Sequence, residues 1–353
     1  MKILALDLGK FKTVFCFQTD DQPPLYGKVA TDRQAVHDLL VLRQPDRLVI
    51  EIGPSAGWVH DLGVALGLTV QVVNPNDERW HWKRVKEKSD RKDALKMVQM
   101  SRMESLPLMP MPDAKTRQWR SLIRCRSTLV GRRTEVKNSI RAIFQMQGIS
   151  LPHADKAWTS QGLEEIARHA SARPRKDQLW RLQLHCELAC LQSLEVQIER
   201  ITQKLDAVGK SDPRVKQLQT APCVGPRLSE TVVAVLDDPH RFKNARQVGC
   251  YAGLTPRRWQ SGNSDRQGHI SRAGNSQLRQ LLVEIAWIGV RNNTWMKSTY
   301  ESIRRGSDKR KKIAIVAVAR RLLVKLWAML RDGTTWKDPD PAQAMTAAAA
   351  AGG

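Results

Sequence analysis

Four acidic residues in the first part of the chain have the type and placement to hold a divalent cation. Asp7 closes the apolar run of LALDLGK, and Glu51 closes that of RLVIEIGPS. A carboxylate ending a buried strand carries a desolvation cost that a partner must offset. Neighbouring strands lie about 4.8 Å apart, so two strand-end acids can converge at one sheet edge. Asp90 and Asp93 stand three residues apart in SDRKDALK, which puts both on one helix face near its positive end. Hard carboxylate oxygens suit Mg2+ or Mn2+, ions that bridge phosphate oxygens and orient a phosphodiester for attack. Lys86, Lys88, Arg91 and Lys92 surround the second pair and would face a nucleic-acid backbone. Taken singly, each acid also reads as a solvated surface group, and Asp90 and Asp93 as helix-start residues.

A second chemical group lies toward the other end, in LTPRRWQSGNSDRQGHISRAGN. Ser261, Ser264 and Ser271 sit there among Arg257, Arg258, Arg266, Arg272 and several glycines. Glycine lets backbone N–H groups approach a phosphate, and arginines stabilise charge on a pentavalent phosphorus. A hydroxyl can attack that phosphorus to form a covalent intermediate. The composition predicts a flexible basic loop; a Ser-Gly pair is also the mark of an ordinary turn.

The charge balance points to the partner. Lys and Arg number 58 against 35 Asp and Glu, a net charge of +23 over 353 residues, which favours a polyanion such as nucleic acid. Packaging on charge alone and binding to an anionic membrane are the other uses of such a balance, but no basic amphipathic anchor stands apart from the folded pattern. No apolar run approaches the roughly 18 residues of a membrane span. Asp7 falls inside the first apolar stretch, which argues against a signal peptide and for a cytoplasmic, nucleoid-associated protein. Cys16, Cys125, Cys186, Cys190, Cys223 and Cys250 lack CxxC spacing and read as reduced packing residues.

The elements that must position these groups follow from periodicity. Segments 2–8, 12–18 and 25–29 are β-prone and open antiparallel; a helix over 33–42, an apolar strand over 47–50, a helix over 56–66 and a strand over 69–73 complete a β-β-β-α-β-α-β order. Such an order predicts a mixed sheet covered by helices. Ser89 caps a helix over 90–103, and the proline-rich LPLMPMP reads as a linker. Trp80 and Trp82, in the basic stretch NPNDERWHWKRVKEK, are candidates either for stacking on unpaired bases or for core packing. An apolar stripe over 119–144 and a heptad seam through Leu191, Leu194, Ile198, Ile201, Leu205 and Val208 predict two long helices. These form either an antiparallel coiled-coil arm or a hairpin packed on its own domain. Beyond Val215 the pattern is α-rich, with a CVGP turn and a cationic run over 304–312 before the helix of IAIVAVARRLLVKLWAML. The expected fold class is α/β plus α, divided into 1–110, a helical arm over 111–210, a domain over 211–336 and a low-complexity tail over 337–353.

Several of these segments, in this order, resemble the DEDD transposases of the insertion-sequence 110 family. LALDLGK, VIEIGPSAGW and SDRKDALK match the family's acid motifs. APCVGPRLSETVVAVLDDPHRF, ARQVGCYAGLTPR, QSGNSDRQGHISRAGNSQLRQLL and KKIAIVAVARRLLVKLWAMLRDG match its C-terminal domain. The resemblance implies a RuvC-like (RNase H-type) N-terminal domain, a coiled-coil arm, and a mainly helical transposase domain with a helix-hairpin-helix-like element. It assigns Mg2+ or Mn2+ to Asp7, Glu51, Asp90 and Asp93, and a serine nucleophile to Ser261, with Ser264 and Ser271 behind it. Lys86, Arg91, Arg257, Arg258, Arg266 and Arg272 would contact nucleic acid. A structured guide RNA, the bridge RNA, would pair with donor and target DNA, and homodimers would join as a tetramer at synapsis. Cys223 departs from the glycine usual in the family's turn. The rival enzyme is a RuvC-type junction nuclease whose carboxylates activate water and whose serine is a loop residue. The strand-Asp-Leu-Gly opening also begins actin-like sugar kinases, but no later glycine-rich adenosine motif accompanies it.

Overall fold

The computed structural model describes residues 1–337 except 21, 76, 78, 79, 81–88, 262 and 263. Lys86, Lys88, Trp82 and residues 338–353 of the tail therefore lie outside the described residues. The chain divides into two compact units, Met1–Arg117 and Gln118 onward.

In the first unit, strand β1 (Ile3–Leu8) buries both of its faces. It lies inside a five-stranded sheet of order β3-β2-β1-β4-β5, with β2 at Lys12–Gln18, β3 at Leu25–Ala30, β4 at Arg47–Glu51 and β5 at Thr69–Val73. β1, β2 and β3 pair antiparallel, while β4 runs parallel to β1 and to β5. This is the mixed sheet expected from the pattern. Period-2 alternation sorts the side chains: Ile3 and Ala5 face one layer, Leu4 and Leu6 the other. The Leu4 layer packs on Val36, Leu39 and Leu40 of α1 (Arg33–Arg43) and on Ala56 and Val59 of α2 (Ala56–Ala65). The Ile3 layer packs on Ala94, Met97 and Val98 of α3 (Asp90–Arg102). Caps fix where two of these helices begin. The Asp32 carboxylate accepts from the Ala35 amide at 2.8 Å and the Ser89 hydroxyl from the Lys92 amide at 3.3 Å.

In the second unit, α4 (Ala114–Met146) and α6 (Trp180–Ser211) run antiparallel. Arg126 donates to Thr202 at 2.8 Å, Arg133 to Glu195 at 3.2 Å and Ser139 to Glu187 at 2.6 Å, so partner numbers fall as α4 advances. Leu129, Leu194 and Ile198 fill the seam, and α5 (Ser160–His169) closes its far end through Ile166. Most of the seam predicted in α6 is buried: Leu191, Leu194, Ile198 and Leu205. The remaining elements are α7 (Pro213–Leu218), α8 (Pro226–Leu236), α9 (Ala245–Tyr251), strands β6 (Pro256–Ser261) and β7 (Ser264–Ile270), α10 (Ser276–Asn292), α11 (Thr294–Arg304) and α12 (Lys311–Asp332). Their core is organised on α12, where Ala314, Val318, Ala319, Leu322, Leu323 and Leu326 are wholly buried. The serine segment differs from expectation. It is an antiparallel two-stranded ribbon rather than a flexible loop.

Glu230 of α8 is 2% exposed and lies 3.0 Å from Arg227, which also pairs with Asp206. Burial dominates over Arg227 and pushes its carboxyl up to about 7. The folded value lies above the ordinary 4.5, so the protonated form stabilises the fold fully below that pH, and the contribution is lost as pH rises toward about 7. Glu230→Gln carries no such titration. In thermal melts, wild type should lose stability relative to this variant between pH 4.5 and about 7, with little change above. A gap independent of pH would show that this carboxyl does not titrate there.

Candidate metal centre and serine hairpin

The parallel register of β1 and β4 pairs Leu6 with Ile50, so the next residues, Asp7, next to last in β1, and Glu51, at the end of β4, stand side by side on neighbouring strands. Both are half-buried. Helix α3 crosses β1, β2 and β4. Its capped first turn carries Asp90 in the open and Asp93 half-buried, on the layer that faces these strands.

Sequence reasoning missed the residue that ties the two pairs together. Lys96, one helical turn beyond Asp93, is 8% exposed. Its ammonium donates to the Trp80 carbonyl and sits 4.2 Å above the Trp80 ring. Burial lowers the pKa of this group, while Asp93 and Glu51 both act to raise it. Two acids from different elements therefore act on one buried cation. The only signal in the sequence was the i, i+3 spacing from Asp93, and a lysine in a polar helix reads as solvated. The same geometry removes the stacking role considered for Trp80: the ring is buried with Ile3, Ala5 and Val49 and covered by Lys96. Among the described residues, no group of three or more His, Cys, Asp or Glu is spaced to hold a metal ion. The acids stand as a strand pair and a helix pair. Arg91 is exposed on α3, with its guanidinium 5.9 Å from the Tyr26 ring.

The ribbon of the second unit sets Ser261 opposite Ser264, Gln260 opposite Asp265 and Trp259 opposite Arg266. Directly opposed residues share a face, so Trp259, Ser261, Ser264 and Arg266 lie on one side, and Gln260 and Asp265 on the other. Every side chain of β6 is exposed. Arg258 grips Asp265 through two hydrogen bonds of 2.7 Å each, which hold the Asp265 carboxyl below the usual carboxylate range. This guanidinium acts as a staple within the ribbon. Arg257 reaches the Ser271 carbonyl at 3.4 Å, and Arg272 is exposed in a left-handed conformation, φ 55°. Two glycines at the ribbon's base, Gly253 and Gly274, have φ of 67° and 98°. A Cβ at either would overlap backbone, at Ala273 and Tyr251 respectively, so only glycine lets these chains close. Ser271, half-buried, donates its amide to Thr255 at 2.8 Å.

Comparison with known families then covers both groups. A transposase family model of the IS110 DEDD type matches residues 4–147, and the model described as "Transposase IS116/IS110/IS902 family" matches 215–301. The chain belongs to the IS110/IS116 transposase family. A transposase for insertion sequence element IS1111A from Coxiella burnetii is 26% identical, over 96% of this chain and 92% of that protein. A probable family 20 transposase from Pseudomonas aeruginosa is 29% identical over 86% and 90%, and a putative transposase of Sinorhizobium fredii 29% over 82% and 78%. The protein is thus a transposase of an insertion-sequence family, an enzyme class that recombines DNA. The four acids fall inside the first matched region and the serine ribbon inside the second.

The transposase should depend on Lys96 for folding. Lys96→Met keeps the stem's packing but removes the counter-charge, and urea unfolding should show a loss of about 1–3 kcal/mol. Adding Asp93→Asn should recover part of that loss, a coupling of about 1 kcal/mol. Losses that simply add would mean that the ammonium serves Trp80 alone.

Proposed function

We propose that this transposase is an RNA-guided DNA recombinase that cuts and rejoins strands through a phosphoserine at Ser261. The observation that carries the reading is the placement of the Ser261 hydroxyl on an exposed ribbon face beside Arg266, where a DNA phosphate has open access. Ser261 Oγ attacks phosphorus and gives up its proton, and the bond to the 3′ oxygen breaks to leave a 3′ hydroxyl. After strand exchange, the 3′ hydroxyl of one strand attacks the phosphoserine of another and releases the serine. The ester keeps the reactivity of the original bond, so no outside energy is needed. Arg257, Arg266 and Arg272 offer charge to the pentavalent phosphorus.

Asp7, Glu51, Asp90 and Asp93 would hold Mg2+ or Mn2+. All four are hard carboxylates of the kind that suit such an ion, and two of them, Glu51 and Asp93, act to raise the pKa of the buried Lys96 against the cost of its burial. When bound, the ion would neutralise phosphate charge and orient the scissile bond. The N-terminal sheet is read as RuvC-like, followed by a helical arm over 111–210 and a transposase domain over 211–336. Donor and target DNA would be selected by pairing with a bridge RNA. The net charge of +23 supports a polyanion load of that size. Lys86 and Arg91 would follow the nucleic-acid backbone, and homodimers would meet as a tetramer at synapsis, in the cytoplasm on the nucleoid.

Incubation with donor DNA should trap a denaturant-resistant, protease-sensitive adduct. Ser261→Ala should abolish it and Ser264→Ala should keep it; Asp7→Ala should slow its formation by about a hundredfold or more. An adduct surviving in Ser261→Ala would sink the assignment. Cleavage without adduct or joining would point instead to a junction nuclease using water.

A further inference from the structure

The ribbon that carries Ser261 also leaves a large aromatic ring in water. Trp259 is 58% exposed, although burying an indole is among the larger apolar gains available to a chain. The ring is nevertheless placed. Its benzo edge abuts Gly268 of the neighbouring strand, where a Cβ would stand only 2.5 Å from the ring atom Cζ3. One edge of the indole is therefore fixed against the neighbouring strand, and the exposed ring offers a face to a flat partner. Its directly opposed neighbour is Arg266, and Arg257, Arg258 and Arg272 lie on the same segment. The acid Asp265 is already held by Arg258. A ring fixed at one edge and bordered by cations fits a ligand with both a π-face and negative charge.

Spacing then fixes where that ligand sits. Trp259 and Ser261 are alternate residues on one ribbon face, about 7 Å apart along the strand. That is about two stacked rises of 3.4 Å in a nucleic-acid strand. We propose that Trp259 is a stacking platform for an unpaired DNA base one or two nucleotides from the phosphate met by Ser261. The indole holds the strand while Arg266 takes up backbone charge. This inference rests on the Ser261 reading only for which phosphate lies next to the base. The stacking itself is measured without chemistry.

The test uses the full chain in the Ser261→Ala background, so no covalent step contributes. Binding of a fluorescein-labelled single-stranded DNA of mixed sequence is followed by anisotropy over a range of salt. Trp259→Ala should weaken binding about fivefold or more, with the slope of log affinity against log salt unchanged, because no charge is removed. Trp259→Phe, which keeps a ring, should recover most of the affinity. Arg266→Ala should instead reduce the salt slope by about one contact. Affinity unchanged in Trp259→Ala would overturn the proposal, as would an equal loss in Trp259→Phe with unchanged thermal stability. Failure of the adduct assay with stacking intact would remove the nucleophile and leave the platform standing.

Discussion

The parallel register between β1 and β4 is the constraint on which the proposed metal site depends. Because Leu6 pairs with Ile50, Asp7 and Glu51 stand side by side near the ends of adjacent strands. A slip of one residue would turn one of them to the opposite layer, since side chains alternate with period two. The register is held by the buried pattern on both sides: Ile3, Ala5 and Val49 on one face and Leu4, Leu6, Leu48 and Ile50 on the other. Sheet packing and acid placement are thus set by the same residues. Glu51 at the end of β4 and Asp93 on α3 both act on the buried Lys96 ammonium, which offsets part of their charge from within the fold.

The serine group obeys a different logic. Its ribbon meets the core at its base, where Ile270 packs on the α12-centred cluster, and an isolated two-stranded hairpin is marginal in water. What keeps it in shape is local: the Arg258 to Asp265 fork on one face, the indole edge against Gly268, and the glycine-dependent closure at Gly253 and Gly274. The base is then tied to the α12-centred core through α9 and α10, whose buried Val248, Leu278 and Leu282 belong to that cluster. A rigid root with an exposed tip suits the proposed attack of Ser261 on a phosphate of a large polymer.

The N-terminal sheet was legible because its signals are local and redundant. The β-prone apolar run in KTVFCFQ, the acid at the end of RLVIE and the Ser89 cap each point to the observed element. The long helices α4 and α6 were legible for the same reason. The ribbon was not, because strands exposed on both faces show no apolar alternation, and Ser, Gly and Asn imitate a loop. In sequence, Trp80 is open between base stacking and core packing, and Lys96 is not singled out. Only tertiary packing shows that the ring is a core residue and that this lysine of α3 is not solvated. Lys86 and Trp82 fall outside the described residues.

The arginines of the serine segment show why composition alone overstates a binding surface. Four of them are exposed and look interchangeable in sequence, yet Arg258 is bound in a bidentate pair and Arg257 leans on the Ser271 carbonyl. A guanidinium held in such a fork has fewer free donors for a phosphate than one standing alone. Arg266, directly opposite Trp259 and on the face of Ser261, is therefore the cation that the ribbon's geometry offers to a bound strand. The division of the cluster into staple and contact follows from which face each residue occupies. That in turn follows from the antiparallel register of β6 and β7, so strand pairing decides which charges remain for the partner.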